Sequence, residues 1–203
     1  MTRTIKTALA ATLAIGSAGP AFAHHATGGM IPRTLGEGLL SGLAHPVIGL
    51  DHLAFLAGLG VLAALMPTGA ILPVLFLVGS AAGVGLHLAG TTLPASEWLV
   101  AVSLAGLGIG LLVRPAGHRA FAPMALAGLI HGYALSESIV GAEPNPLGAY
   151  LAGLTASQLA VAYGVFGLVR ALDRRDPAVA PRLAAGAAAI VLVTGIAVPF
   201  MAM

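Results

Sequence analysis

Six apolar segments, each near the length of a helix that crosses a lipid bilayer, follow one another along this sequence. Hydrophobic residues make up 58% of the 203-residue chain and charged residues only 8%, whereas about a quarter of the residues in a soluble domain are charged. The sequence therefore predicts an all-α, polytopic membrane protein, a six-transmembrane-helix bundle over residues 38–203 with spans at 38–65, 70–90, 97–113, 120–141, 147–170 and 182–201.

The N-terminus has the features of a secretory signal peptide. Arg3 and Lys6 precede a short apolar stretch, and Ala21–Ala23 follows the small-x-small rule for signal peptidase. These features predict a cleaved signal peptide at 1–23, followed by a periplasmic N-terminal segment at 24–37. An uncleaved first span is the alternative, although the apolar stretch is short for one.

The arginines predict the orientation in the membrane. Arg33 is the only basic residue on one side of the predicted spans, and six arginines lie in the loops on the other side: Arg114, Arg119, Arg170, Arg174, Arg175 and Arg182. By the positive-inside rule these loops are cytoplasmic, so both mature termini are periplasmic and the chain is a multi-pass protein of a bacterial inner membrane. The net charge of +2 gives no reason to propose a nucleic-acid partner.

The first apolar segment contains the sequence HPVIGLDH at residues 45–52. Each ionisable side chain costs about 2.5–3.5 kcal/mol at a bilayer centre, so such groups persist mainly where they line a pathway or have partners. Imidazole binds nickel, cobalt, copper and zinc, and a carboxylate adds an oxygen ligand. Because the chain has no cysteine, a metal site must use nitrogen and oxygen ligands. His45, Asp51 and His52 are therefore candidate metal ligands.

The spacing within this motif limits how it can bind an ion. On a straight helix His45 and His52 lie on nearly the same face but roughly 10 Å apart, too far for both to bind one ion through bonds of about 2 Å. The helix is therefore kinked, or the two histidines are successive stations along a path. Pro46 supplies a cause for a kink, and Gly49 weakens the same stretch. Asp51 is expected to point about 100° away from His52, toward a neighbouring helix or the flank of the site.

Further ligand-type side chains occur in later segments. His87, His131 and Glu137 fall in the middle and outer half of the bilayer when depth is counted at about 1.5 Å per residue. For His87, a hydrogen-bonded packing role is the alternative to metal binding. After cleavage, His24 and His25 would stand beside a free amine and could chelate a divalent cation. The alternative is an unstructured start that happens to contain histidine.

Two pairs of glycines, Gly79/Gly83 and Gly128/Gly132, have the small-xxx-small spacing that lets membrane helices approach closely. Plain packing explains them best. Close approach at these positions would also bring histidines of different helices together, since Gly83 precedes His87 by one turn and Gly132 adjoins His131.

The motif at 45–52 resembles the signature of the HupE/UreJ family of nickel and cobalt permeases, and the resemblance extends over the whole chain. A second family motif usually reads His-Gly-Tyr-Ala, then His-Gly, then an acid. Here the sequence at 131–137 is HGYALSE, so Leu135 replaces the second histidine and Ser136 the glycine. This departure leaves the fold expectation intact and shifts coordination toward oxygen ligands such as Glu137.

The resemblance implies a secondary transporter, not an enzyme, that imports Ni²⁺ or Co²⁺ as cargo and holds no resident cofactor. No phosphate-binding glycine-rich loop occurs in the sequence, so uptake would be driven by the membrane potential. His24 and His25 or outer acids would capture the ion. The side chains that replace its water shell would be His45, Asp51, His52, His87, His131 and Glu137.

Two other functions fit a histidine-bearing membrane bundle. One is a haem-binding redox subunit, because histidines on transmembrane helices also ligate haem iron. The other is an intramembrane metal-dependent hydrolase, which requires an acid beside a tightly bound metal. The sequence leaves open the choice between nickel and cobalt, and whether the chain forms a homo-oligomer.

Overall fold

The computed structural model describes residues 30–115 and 117–201, and this part of the chain is helical, with no strand. The predicted all-α class is confirmed. The predicted signal peptide, together with His24 and His25, lies outside the described residues. Seven α-helices are described: α1 (Leu35–Ile48), α2 (Leu50–Leu65), α3 (Leu72–Leu88), α4 (Ser96–Val113), α5 (Phe121–Leu135), α6 (Pro144–Asp173) and α7 (Val179–Met201).

Four of the described helices are long and apolar enough to cross a membrane: α4, α6, α7, and α3 together with the 3-10 turn that precedes it. The pair α1 and α2 meets the same test as one bent span, which raises the number to five. Helix α5 has 15 residues and is shorter than a usual spanning helix. The chain is therefore a multi-pass membrane protein.

The first predicted span is broken rather than continuous. Helices α1 and α2 meet at an angle of 74°. Gly49 lies between them in an extended conformation, with φ −68° and ψ 101°. Its N–H donates to the carbonyl of His45, and its own carbonyl accepts from Leu53, so it ends one helix and begins the next. Of the two alternatives left open for this span, the kinked helix is the one observed, and the bend lies at Gly49, three residues after Pro46.

Helices pack mainly in pairs, α3 on α5, α1 on α6 and α4 on α7. Helix α2 joins these pairs because it contacts α4, α6 and α7. Its side chains Phe55, Leu59 and Leu62 are fully buried in the main hydrophobic core. Large apolar side chains on the outside, such as Val78 and Ile196, are exposed as expected for helices that face lipid.

Glycines allow two of these pairs to pack main chain against main chain. A methyl group on Gly79 or Gly83 of α3 would overlap carbonyl oxygens of α5, and one on Gly128 or Gly132 would overlap carbonyl oxygens of α3. The predicted close approach is therefore confirmed for both glycine pairs. Gly42 packs in the same way between α1 and α6.

The fourth predicted span, 120–141, does not continue as one helix. Helix α5 ends at Leu135, where the hydroxyl of Ser136 donates to the carbonyl of Tyr133 at 2.6 Å and so competes with the helical bonding pattern. Gly141 then adopts a positive φ of 83° before α6 begins. The expectation that His131 and Glu137 share one helix is wrong, because Glu137 lies on a separate 3-10 turn, Glu137–Ile139.

We predict that Gly79→Ala destabilises the protein, because the added methyl group meets the main chain of α5 and cannot be relieved by a side-chain movement. Such overpacking costs about 1–3 kcal/mol, which lowers a melting temperature by about 2–4 °C per kcal/mol. Thermal unfolding in detergent measures this. Gly85→Ala on the same helix is the control, since nothing lies within 4 Å of its added methyl group. Equal melting temperatures for the two variants would contradict the close contact.

Candidate metal-binding cluster

Two histidines from different helices meet inside the bundle. His52 stands in the first turn of α2 and His131 near the end of α5, and their Nδ1 atoms lie 2.7 Å apart. Both residues are buried, His131 completely. The ring of His131 also packs against Phe55 and Phe76, at centroid distances of 4.4 and 5.7 Å. The ring of His131 is therefore held between apolar side chains.

His45 approaches this pair because of the break in the first span. Its ring centroid lies 6.2 Å from that of His52, closer than the roughly 10 Å expected for a straight helix. Nδ1 of His45 lies 2.9 Å from the hydroxyl of Tyr150 and 3.0 Å from that of Ser138. The bend thus brings both histidines of the HPVIGLDH motif to one place.

Asp51 turns back toward its sequence neighbour. Its Oδ2 lies 3.8 Å from Nε2 of His52, and the side chain is mostly buried, with 15% of it exposed. It therefore lies at the flank of the site, one of the two positions expected from the helical geometry. His45, Asp51, His52 and His131 are called the histidine cluster below.

His87 and Glu137 lie apart from the histidine cluster. Nδ1 of His87 lies 2.8 Å from the hydroxyl of Ser136 and 3.0 Å from the carbonyl of Tyr133, and its ring stacks on Tyr133 at 4.1 Å. These contacts match the packing alternative for His87. Glu137 is exposed on its 3-10 turn. Within residues 30–115 and 117–201, no three His, Asp or Glu side chains are arranged as a complete metal site.

Three hydroxyl side chains that the sequence analysis did not single out contact the histidines. Ser103 of α4 lies 2.9 Å from Nε2 of His131, and Tyr150 of α6 and Ser138 contact His45. The contact of Tyr150 could have been predicted from the sequence, because a tyrosine buried within an apolar span needs a partner for its hydroxyl. The sequence gives a weaker indication for Ser103, which is a single hydroxyl in an apolar segment. Gln158 makes the helix-to-helix hydrogen bond typical of such residues, to Ser80 at 3.1 Å.

The family model described as HupE / UreJ protein matches residues 11–198, which is nearly the whole chain. The chain belongs to the HupE/UreJ family. Comparison with curated proteins and with solved structures found no match. HupE/UreJ proteins form a metal transporter family of the nickel and cobalt type and not an enzyme class. The four residues of the histidine cluster lie within the matched range.

We predict that Gly49→Ala moves His52 away from His131. A methyl group on Gly49 would lie 2.8 Å from Cδ2 of the His52 ring, so the ring must shift. Spectra of protein labelled with ¹⁵N-histidine in detergent should then lose the resonance of the N–H shared by the two rings. Gly36→Ala, in an open position of α1, should leave the spectrum unchanged. An unaltered His52–His131 signal in Gly49→Ala would contradict this placement.

Proposed function

We propose that this chain imports Ni²⁺ or Co²⁺ and that the ion passes through the histidine cluster. The main support for this proposal is the 2.7 Å separation of the Nδ1 atoms of His52 and His131. Two nitrogens bound side by side to one ion at about 2.0 Å are about 2.8 Å apart in a square-planar or octahedral site. The two nitrogens therefore already have the separation required of two ligands of the same ion.

His45 and Asp51 extend this pair into a larger ligand set. His45 adds a third imidazole 6.2 Å from His52, measured between ring centroids, and Asp51 adds an oxygen ligand and a negative charge. The separations are longer than those of a closed site. A loose set suits a transporter, because binding must be strong enough to replace water and weak enough for the ion to leave.

The remaining predicted site residues have different roles in this proposal. Glu137, which is exposed, would attract cations at the outer mouth, and His24 and His25 would capture them there. His87 is assigned to packing, since its contacts are with the end of α5. The ion would thus reach His45 first and the His52–His131 pair next.

The proposal includes six spans, with the bent pair counted as one and α5 as the shortest. Helix α5 rises about 22 Å, which covers most of the hydrocarbon core of about 30 Å. With the arginine-rich loops in the cytoplasm, both mature termini are periplasmic in the inner membrane, after removal of a signal peptide at 1–23.

Metal transport fits the cluster better than haem ligation. Two histidines on opposite faces of one haem iron would hold their nitrogens about 4 Å apart, with the iron between them. The 2.7 Å separation of His52 and His131 is too short for that arrangement.

We predict that His52→Ala, Asp51→Ala and His131→Ala each lower metal uptake by more than about tenfold, since losing even a supporting residue of a metal site costs roughly 10- to 100-fold in affinity. Uptake of radioactive nickel and cobalt by cells expressing each variant, normalised to protein level, measures this, and cross-competition shows which ion is preferred. His118→Ala is the control, because His118 is exposed on a turn outside the cluster. Undiminished accumulation at equal protein level would refute the proposed path.

We also predict that an inside-negative potential drives uptake. A divalent ion gains about 4.6 kcal/mol per 100 mV, which corresponds to roughly thousandfold accumulation. Liposomes containing the purified protein, with a potassium gradient and valinomycin to set the potential, test this against protein-free liposomes. Accumulation that persists at an inside-positive potential would rule out this driving force.

A further inference from the structure

Two hydroxyl groups beside the histidine cluster determine which ring nitrogen carries the hydrogen. A neutral imidazole has one N–H and one lone pair, and only the lone pair can bind a metal. A hydroxyl has a single proton, so once that proton is donated to a carbonyl, the oxygen can only accept from a second neighbour.

Ser103 determines the tautomer of His131 in this way. Its hydroxyl donates to the carbonyl oxygen of Val100 at 2.7 Å, and a carbonyl can only accept. The Ser103 oxygen therefore accepts from Nε2 of His131, 2.9 Å away. Consequently Nε2 of His131 carries the hydrogen, and its lone pair is on Nδ1, the atom that faces His52.

Tyr150 determines the tautomer of His45, and the hydrogen is on the other ring nitrogen. Its hydroxyl donates to the carbonyl of Leu135, and its oxygen accepts from Ser138 at 3.3 Å. Nδ1 of His45, 2.9 Å from the Tyr150 oxygen and 3.0 Å from the Ser138 oxygen, must therefore be the donor. The lone pair of His45 is then on Nε2.

We propose that Ser103 and Tyr150 are positioning residues that select opposite tautomers of two histidines, so that His131 binds the transported ion through Nδ1 and His45 through Nε2. This inference rests on the proposed function. Residues that hold a metal-binding histidine through its second nitrogen typically contribute 10- to 100-fold to metal affinity. In the metal-free cluster His52 donates its Nδ1–H to His131, so binding of one ion by both Nδ1 atoms requires this hydrogen to move to Nε2 of His52, where Asp51 lies 3.8 Å away.

Nuclear magnetic resonance of ¹⁵N-histidine-labelled, metal-free protein in detergent reports each tautomer directly. We expect the hydrogen on Nε2 of His131 and on Nδ1 of His45 in the wild type. Ser103→Ala should give a mixture of tautomers at His131 and, through the hydrogen bond between their Nδ1 atoms, at His52, while His45 keeps its tautomer. Ser103→Thr, which keeps a hydroxyl, should restore the wild-type forms. Tyr150→Phe should turn His45 toward the Nε2–H form, because the Ser138 proton loses its acceptor and can be donated to Nδ1.

Transport gives the second readout. Ser103→Ala should raise the KM for nickel about tenfold with a nearly unchanged maximal rate, and Ser103→Thr should reverse this. Ser80→Ala is the matched control, since it removes a buried hydroxyl bonded to Gln158. Unchanged tautomers at His131 in Ser103→Ala, or wild-type tautomers opposite to those expected, would overturn the inference. Absence of metal uptake by the wild type, with tautomers as expected, would instead overturn the proposed function.

Discussion

Gly49 donates the last helical hydrogen bond of α1, to the carbonyl of His45, and its extended ψ of 101° turns the chain by 74° into α2. The arrangement of the histidine cluster depends on this turn. Without it, His45 and His52 would stand two helical turns apart along one axis. With it, His45 faces Tyr150 on α6 while His52 faces His131 on α5. One change of backbone direction thus lets a single short motif contact two different helices.

The partner of His52 is positioned by a second constraint, the close packing of α3 and α5. Glycines on both helices bring the main chains into contact, which sets the height and rotation of α5. That rotation determines the position of His131, and Phe55 and Phe76 fill the space around its ring. Burial of the His131 ring is tolerated because both of its nitrogens have a hydrogen-bond partner, and an unpaired polar group in an apolar interior is costly.

The sequence predicted those features that depend on local composition and spacing. Apolar length identified the helices, Pro46 and Gly49 indicated the bend, and paired glycines indicated the contact of α3 with α5. The end of α5 was missed because it depends on the Ser136 hydroxyl competing for a carbonyl, and Glu137 was consequently placed on the wrong helix. Ser103 was missed for another reason. Its contact with His131 depends on how α4 is rotated against α5, and no spacing within one helix encodes that rotation.

The break at Gly49 also has an electrostatic consequence. A helix carries about half a positive charge at its N-terminus and half a negative charge at its C-terminus, and a continuous span would keep both ends at the membrane surfaces. Here two such ends meet inside the protein. The carbonyl end of α1 lies beside His45 and favours a cation, and the amide end of α2 is offset by Asp51 in its first turn. With the amide end of α2 offset by Asp51, the carbonyl end of α1 lowers the cost of a positive charge beside His45, as helix C-termini do in transporters built from interrupted helices.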